Sequence, residues 1–164
     1  MLFVDNLCTG GRFGVDCRYL CTCQNDGACH PETGHCTCAP GWQGDSCQYR
    51  CPQGFYGENC RSVCLCQNDG VCHHVTGACT CPPGWIGSSC EQSCPQGKYG
   101  DGCQLDCACL NGAVCDPTSG ACHCAPGWEG DTCSSPCEQG WYGDQCLLTC
   151  LCENSGTCDH VTGR

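Results

Sequence analysis

Twenty-nine of the 164 residues are cysteines. A cysteine thiolate can hold a soft metal, attack a substrate, cycle electrons or pair in a disulfide, so its spacing decides the chemistry. No C-x-x-C occurs anywhere; the shortest intervals are those of Cys21/Cys23, Cys47/Cys51 and Cys23/Cys29. The usual zinc-finger and thioredoxin-type signals are therefore missing. The six histidines (His30, His35, His73, His74, His123, His160) do not share a single place in the sequence pattern and read as solvated turn residues. No serine lies in a G-x-S-x-G turn and no glycine-rich loop opens a helix to cradle phosphate. The chain is expected to be no enzyme and to carry no metal or cofactor. Disulfide pairing is what remains. At about 18% the cysteine content exceeds the roughly 8–10% that marks a disulfide scaffold, and such density persists only in an oxidising compartment.

Elements must place these cysteines, and they do so periodically. Cys21, Cys64, Cys107 and Cys150 recur every 43 residues, as do Cys29, Cys72, Cys115 and Cys158, and no cysteine falls out of register. A fixed period of this size marks an array of small modules. The expected divisions are 1–17 (a truncated end), 18–60, 61–103, 104–146 and a truncated 147–164. With one Met and three Phe in the chain, no module can bury an apolar core, and covalent staples must replace it. Within a module, 71–74 and 78–81 flank the turn Val75-Thr76-Gly77 and predict a short β-hairpin. Pro-Gly-Trp-x-Gly follows at 40–44, 83–87 and 126–130. A closing Gly-x-Tyr-Gly stands at 54–57, 97–100 and 140–143, with Phe13 in the tyrosine's place in the first copy. Prolines before glycines signal tight turns. Three-residue linkers such as Arg61-Ser62-Val63 predict a semi-rigid, elongated rod.

The frame C-x-C-x5-C-x6-C-x-C-x8-C followed by x3-C-x8-C resembles laminin-type EGF-like repeats over essentially the whole chain. That resemblance implies a small disulfide-rich fold of short β-hairpins and loops. Sequence alone leaves 105 pairings open for eight cysteines. The family pattern implies Cys64–Cys72, Cys66–Cys79, Cys81–Cys90 and Cys94–Cys103. Stepped along the chain it implies Cys8–Cys17, Cys21–Cys29, Cys23–Cys36, Cys38–Cys47 and Cys51–Cys60. It further implies Cys107–Cys115, Cys109–Cys122, Cys124–Cys133, Cys137–Cys146 and Cys150–Cys158. Cys152 is left over, its expected partner lying just past Arg164; with no signal peptide at Met1 and no apolar run of membrane-spanning length, the chain reads as a fragment of a longer secreted or membrane-anchored protein.

Other signals bear on partners. The segments before each module's first cysteine, including Arg61-Ser62-Val63 and Gln104-Leu105-Asp106, hold too few oxygens for the calcium cage of one EGF subclass. Trp42, Trp85 and Trp128, with Tyr56, Tyr99 and Tyr142, read as structural covers for disulfides. Positions that differ between copies, Gln43/Ile86/Glu129 and Phe55/Lys98/Trp141, are better placed to set partner specificity. Net charge is −11, and residues 65–163 contain one base, Lys98. Such a surface repels nucleic acid, heparin and anionic lipid, and keeps a long molecule soluble. Cys152-Glu-Asn-Ser-Gly-Thr157-Cys158 resembles an O-fucose acceptor pattern at Thr157.

Long arrays of this kind look like ectodomains of multiple-EGF-like-domain proteins, the Draper-type engulfment receptors and class F endothelial scavenger receptors. The resemblance implies an extracellular, scavenger-type segment that binds protein, lipoprotein or cell-surface ligands such as apoptotic cells. It implies no nucleic-acid partner, and contact with a membrane only through a segment outside this chain. The alternative is a structural or adhesive spacer of a secreted matrix protein.

Overall fold

In the computed structural model the described residues are 8–152 and 156–164. They fall into two compact units, divided between Thr80 and Cys81. Regular structure among the described residues is sparse: ten antiparallel ladders of two residues per strand and four single 3-10 turns. Two-stranded ladders this short are marginal alone in water, so cross-links must hold them.

In the first unit, Arg12–Phe13 pairs with Tyr19–Leu20, and Ala28–Cys29 with Cys36–Thr37. Trp42–Gln43 pairs with Tyr49–Arg50, Phe55–Tyr56 with Ser62–Val63, and Val71–Cys72 with Cys79–Thr80. The expected hairpin after Cys64 is present, with strands shorter than the eight flanking residues suggest, because Cys81 departs to bond Cys90. Residues 61–63, read as a linker, are structured differently. Ser62–Val63 is a ladder strand, and the Cys64 N–H donates to the Gly54 carbonyl at 2.8 Å. The last ladder thus locks the start of the next module.

The second unit repeats the plan. Its ladders are Trp85–Ile86 with Gln92–Ser93, Lys98–Tyr99 with Leu105–Asp106, and Val114–Cys115 with Cys122–His123. Trp128–Glu129 with Ser135–Pro136 and Trp141–Tyr142 with Leu148–Thr149 complete it.

The buried hydrophobic residues among those described are all cysteines: Cys36, Cys47, Cys51, Cys90, Cys133 and Cys137. The core is sulfur. Fourteen disulfides close it, at 8–17, 21–29, 23–36, 38–47, 51–60, 64–72, 66–79, 81–90, 94–103, 107–115, 109–122, 124–133, 137–146 and 150–158. Cys152 is free and exposed. Directly opposed ladder cysteines do not bond each other. Cys72 faces Cys79 in register, yet each crosses to a different cysteine of the Cys64-Leu65-Cys66 arm. Opposed side chains share a face, so the arm lies across the hairpin and is stitched to it twice. An asparagine then ties the arm to the following loop: Asn25 Nδ2 donates to the Cys47 carbonyl, and Asn111 Nδ2 to the Cys133 carbonyl, both at 2.8 Å.

An aromatic and acidic cleft as candidate functional site

The ring that recurs at Phe13, Tyr56, Tyr99 and Tyr142 is occupied in a joint with the following copy. Each hairpin turn ends in a glycine at positive φ, as at Gly77 (+75°) and Gly120 (+77°). A ring from the preceding copy covers it. A methyl group on Gly77 would stand 2.5 Å from the Tyr56 ring, and one on Gly120 2.6 Å from the Tyr99 ring. Phe13 meets Gly34 and Tyr142 meets Gly163 in the same way. Phe13 does the job without a hydroxyl, so the ring face is what the joint uses. Backbone bonds reinforce it. Gly57 N–H donates to the His74 carbonyl at 3.1 Å, and Gly100 N–H to the Pro117 carbonyl at 3.0 Å. The Pro-Gly-Trp glycines close the stack, Gly41 N–H donating to Gly57 O at 2.8 Å and Gly84 N–H to Gly100 O at 3.0 Å.

Two histidines belong to these joints, which the reading of all six as solvated turn residues missed. His74 Nδ1 lies 3.0 Å from the Gly41 carbonyl, and the ring meets Trp42 edge-on at 5.3 Å. His160 meets Trp128 likewise at 5.2 Å. The signal was available: His74 and His160 are two periods apart, with Pro117 between. Another pair, His30 and His73, is one period apart and accepts turn amides at Nδ1, those of Val75 and Thr76 at 3.3 and 3.4 Å for His73. In the later copies Asp116 and Asp159 take that role. Asp116 Oδ1 accepts from Ser119 N–H at 2.7 Å and Thr118 N–H at 3.1 Å. The Ser119 amide, then the Ser119 hydroxyl, hold the Asp116 carboxyl below its ordinary range; the Thr162 amide and hydroxyl do the same for Asp159.

The copy-variable positions are disposed differently. Glu129 and Trp141, twelve residues apart in sequence, border one cleft of about 380 Å³ together with Glu138, Gln145 and Leu147. Glu129 and Gln145 also border an adjoining cleft of about 360 Å³ that includes His123, Trp128 and Asp144. Trp141 is 42% exposed and Leu147 69%. No lysine or arginine lines either cleft, and His123 borders one of them. The two ion pairs among the described residues lie elsewhere, Arg18–Asp16 at 3.9 Å and Lys98–Asp106 at 2.6 Å. Among the described residues no group of three or more His, Cys, Asp or Glu is placed to hold a metal ion.

The equivalent surfaces of the earlier copies contain their own cations. In the first copy Arg50 sits over the Trp42 ring at 5.7 Å. In the second, Lys98 occupies the place of Trp141 and pairs with Asp106. Ile86 replaces Glu129 there and bears no charge. Of the remaining expected site, Thr157 is exposed, while residues 153–155 of its motif lie outside the described residues. No helix among the described residues is long and apolar enough to cross a membrane.

Comparison with known proteins agrees with the geometry. The Laminin EGF domain family matches residues 21–66, and the EGF-like domain family residues 62–90. Dendrite extension defective protein 1 of Caenorhabditis elegans is 46% identical over 48 residues, 28% of this chain and 4% of that protein. Human scavenger receptor class F member 2 is 42% identical over 47 residues, 29% of this chain and 5% of the receptor. Angiopoietin-1 receptor of Danio rerio is 40% identical over 45 residues, 27% of this chain and 4% of that receptor. The matches thus span only about a twentieth of those relatives' length.

Proposed function

We propose that this chain, a tandem array of laminin-type EGF-like modules, is an extracellular segment of a scavenger- or engulfment-type cell-surface receptor and contributes ligand-binding surface to it. The modules of that reading run 18–60, 61–103 and 104–146, flanked by partial copies. The observation that carries it is the likeness to a human class F scavenger receptor. An exposed cleft whose lining changes from copy to copy supports it. Fourteen disulfides require an oxidising compartment, which fits an ectodomain or a secreted chain.

The test is binding of the oxidised chain, multimerised on beads, to apoptotic and to living cells. Selective capture of apoptotic cells, lost after reduction and alkylation, is the expected result. Equal and weak adhesion to both would reject recognition and leave the chain as a spacer.

A further inference from the structure

We propose that the two adjoining clefts of the 104–146 module, which share Glu129 and Gln145, bind an arginine side chain presented by an extracellular polypeptide. Trp128 and Asp144 line one and Trp141 and Glu138 the other, with the Glu129 carboxylate common to both. The proposal deepens the receptor reading and rests on it.

The chain itself shows what this surface accepts. In the first copy the guanidinium of Arg50 lies over Trp42, the counterpart of Trp128, at 5.7 Å. Arg50 is replaced by Ser93 in the second copy and Pro136 in the third, so the third has lost its internal cation. Arg61, two periods before Leu147 in the repeat, becomes Gln104 and then Leu147. Acids appear in the third copy: Pro52 and Pro95 become Glu138, and Gln43 and Ile86 become Glu129. Where the second copy puts Lys98, the third puts Trp141, and the ammonium that would neutralise the site is gone. The arginine is lost by the second copy and the lysine by the third, and the third adds acid and an indole along the two adjoining clefts.

That combination selects a flat, delocalised cation. Guanidinium stacks on aromatic faces and bonds carboxylates through paired N–H donors, while its weak hydration lowers the cost of leaving water. An ammonium lacks the planar face. A bare metal ion needs several oxygens converging on one point, which these carboxylates do not provide. Leu147, 69% exposed on the rim, offers apolar contact to the residue beside the arginine.

The probe is a glycine-spaced peptide with four arginines, compared with its lysine and citrulline counterparts. Binding to the full oxidised chain is followed by ¹⁵N NMR. Shifts are expected at the indole N–H of Trp128 and Trp141 and at the Gln145 amide, with arginine at least about threefold tighter than lysine and citrulline weakest. Rising salt should weaken binding. Glu129→Gln should lower affinity about three- to tenfold. Trp141→Lys, which restores the second copy's cation, should lower it at least tenfold. Asp69→Asn, an acid outside the cleft, should leave affinity unchanged. Equal shifts at Trp42, citrulline binding as tightly as arginine, or loss of binding with EDTA would overturn the proposal. The same variants are then tested on cells. Wild-type cell binding without peptide binding refutes the cleft and spares the receptor reading; peptide binding without cell binding does the reverse.

Discussion

Replacing Gly120 by alanine tests the joint on which successive modules rest. Two penalties are separable. The backbone at Gly120 has φ +77°, where an L-residue costs about 1–2 kcal/mol. The new methyl would also stand 2.6 Å from the Tyr99 ring, which must retreat about 1 Å and lose roughly 1 kcal/mol of packing. Gly112, in the same module, has nearly the same φ (+73°) and nothing within 4 Å, so its alanine variant suffers the first penalty alone. Hydrogen exchange at the Gly100 amide, which donates across the joint to Pro117, tells them apart. Opening the joint relieves the ring contact and leaves the turn's φ unchanged, because Cys107–Cys115 and Cys109–Cys122 still hold the hairpin. Gly120→Ala should therefore cut Gly100 protection about fivefold, since about 1.4 kcal/mol is a factor of ten. Gly112→Ala should change it less than twofold, although both lower thermal stability. In a Tyr99→Ala background the Gly120 substitution should have no further effect on that amide. Equal effects of the two alanines on Gly100 would refute the ring-on-glycine joint.

Three further outcomes follow from the structure. Asp116 has its folded pKa depressed by the Ser119 amide and hydroxyl, so its stabilisation is present above the unfolded carboxylate range and is lost as pH falls through the folded value. NMR titration should show the Asp116 carboxyl and the Ser119 amide changing together at lower pH than an aspartate in an unfolded peptide, and Asp116→Ala should speed Ser119 exchange severalfold. Replacing Cys66 and Cys79 by serine opens a loop of separation 13 and should destabilise its hairpin by about 3 kcal/mol, read as loss of protection at the His73 and Gly77 amides. During oxidative refolding the opposed, locally paired Cys72 and Cys79 should form a transient mispair that exchanges into the native 64–72 and 66–79 set, detectable by acid-trapped, non-reducing peptide mapping.

Much of this architecture is legible in the sequence because cysteine spacing is a rigid signal. A 43-residue step superposes every cysteine, and the module type follows from that frame. The joints are less legible. Tyr56 and Gly77 each recur visibly, yet nothing in a periodic pattern says that the ring of one copy covers the turn of the next. The same holds for Ser62–Val63. Its strand character comes from a ladder partner in the preceding Phe55–Tyr56 segment, not from its own composition. Glu129 and Trp141 stand out as copy-variable, but their convergence on one cleft depends on how two neighbouring loops pack. His74 is hidden for a further reason: proline takes its place in the copies on either side, at Pro31 and Pro117, so a one-period comparison finds no histidine.

The two-residue strands explain how one frame can carry both a fixed joint and a variable surface. Adjacent residues of a strand face opposite ways. In Trp141–Tyr142, Tyr142 is half-buried against Gly163 while Trp141 is exposed to the cleft. In Phe55–Tyr56, Tyr56 covers Gly77 and Phe55 is exposed. Substitution at the outward residue leaves the ring-on-glycine contact and the disulfides untouched, so the array tolerates phenylalanine, lysine or tryptophan there. Tolerance alone would give random outward residues. The third copy instead changes three cleft positions in one sense, replacing the second copy's Lys98 by Trp141 and adding Glu129 and Glu138 beside it. A joint that is indifferent to the outward residue permits such a change, and the demand of a cationic ligand is what would give it direction.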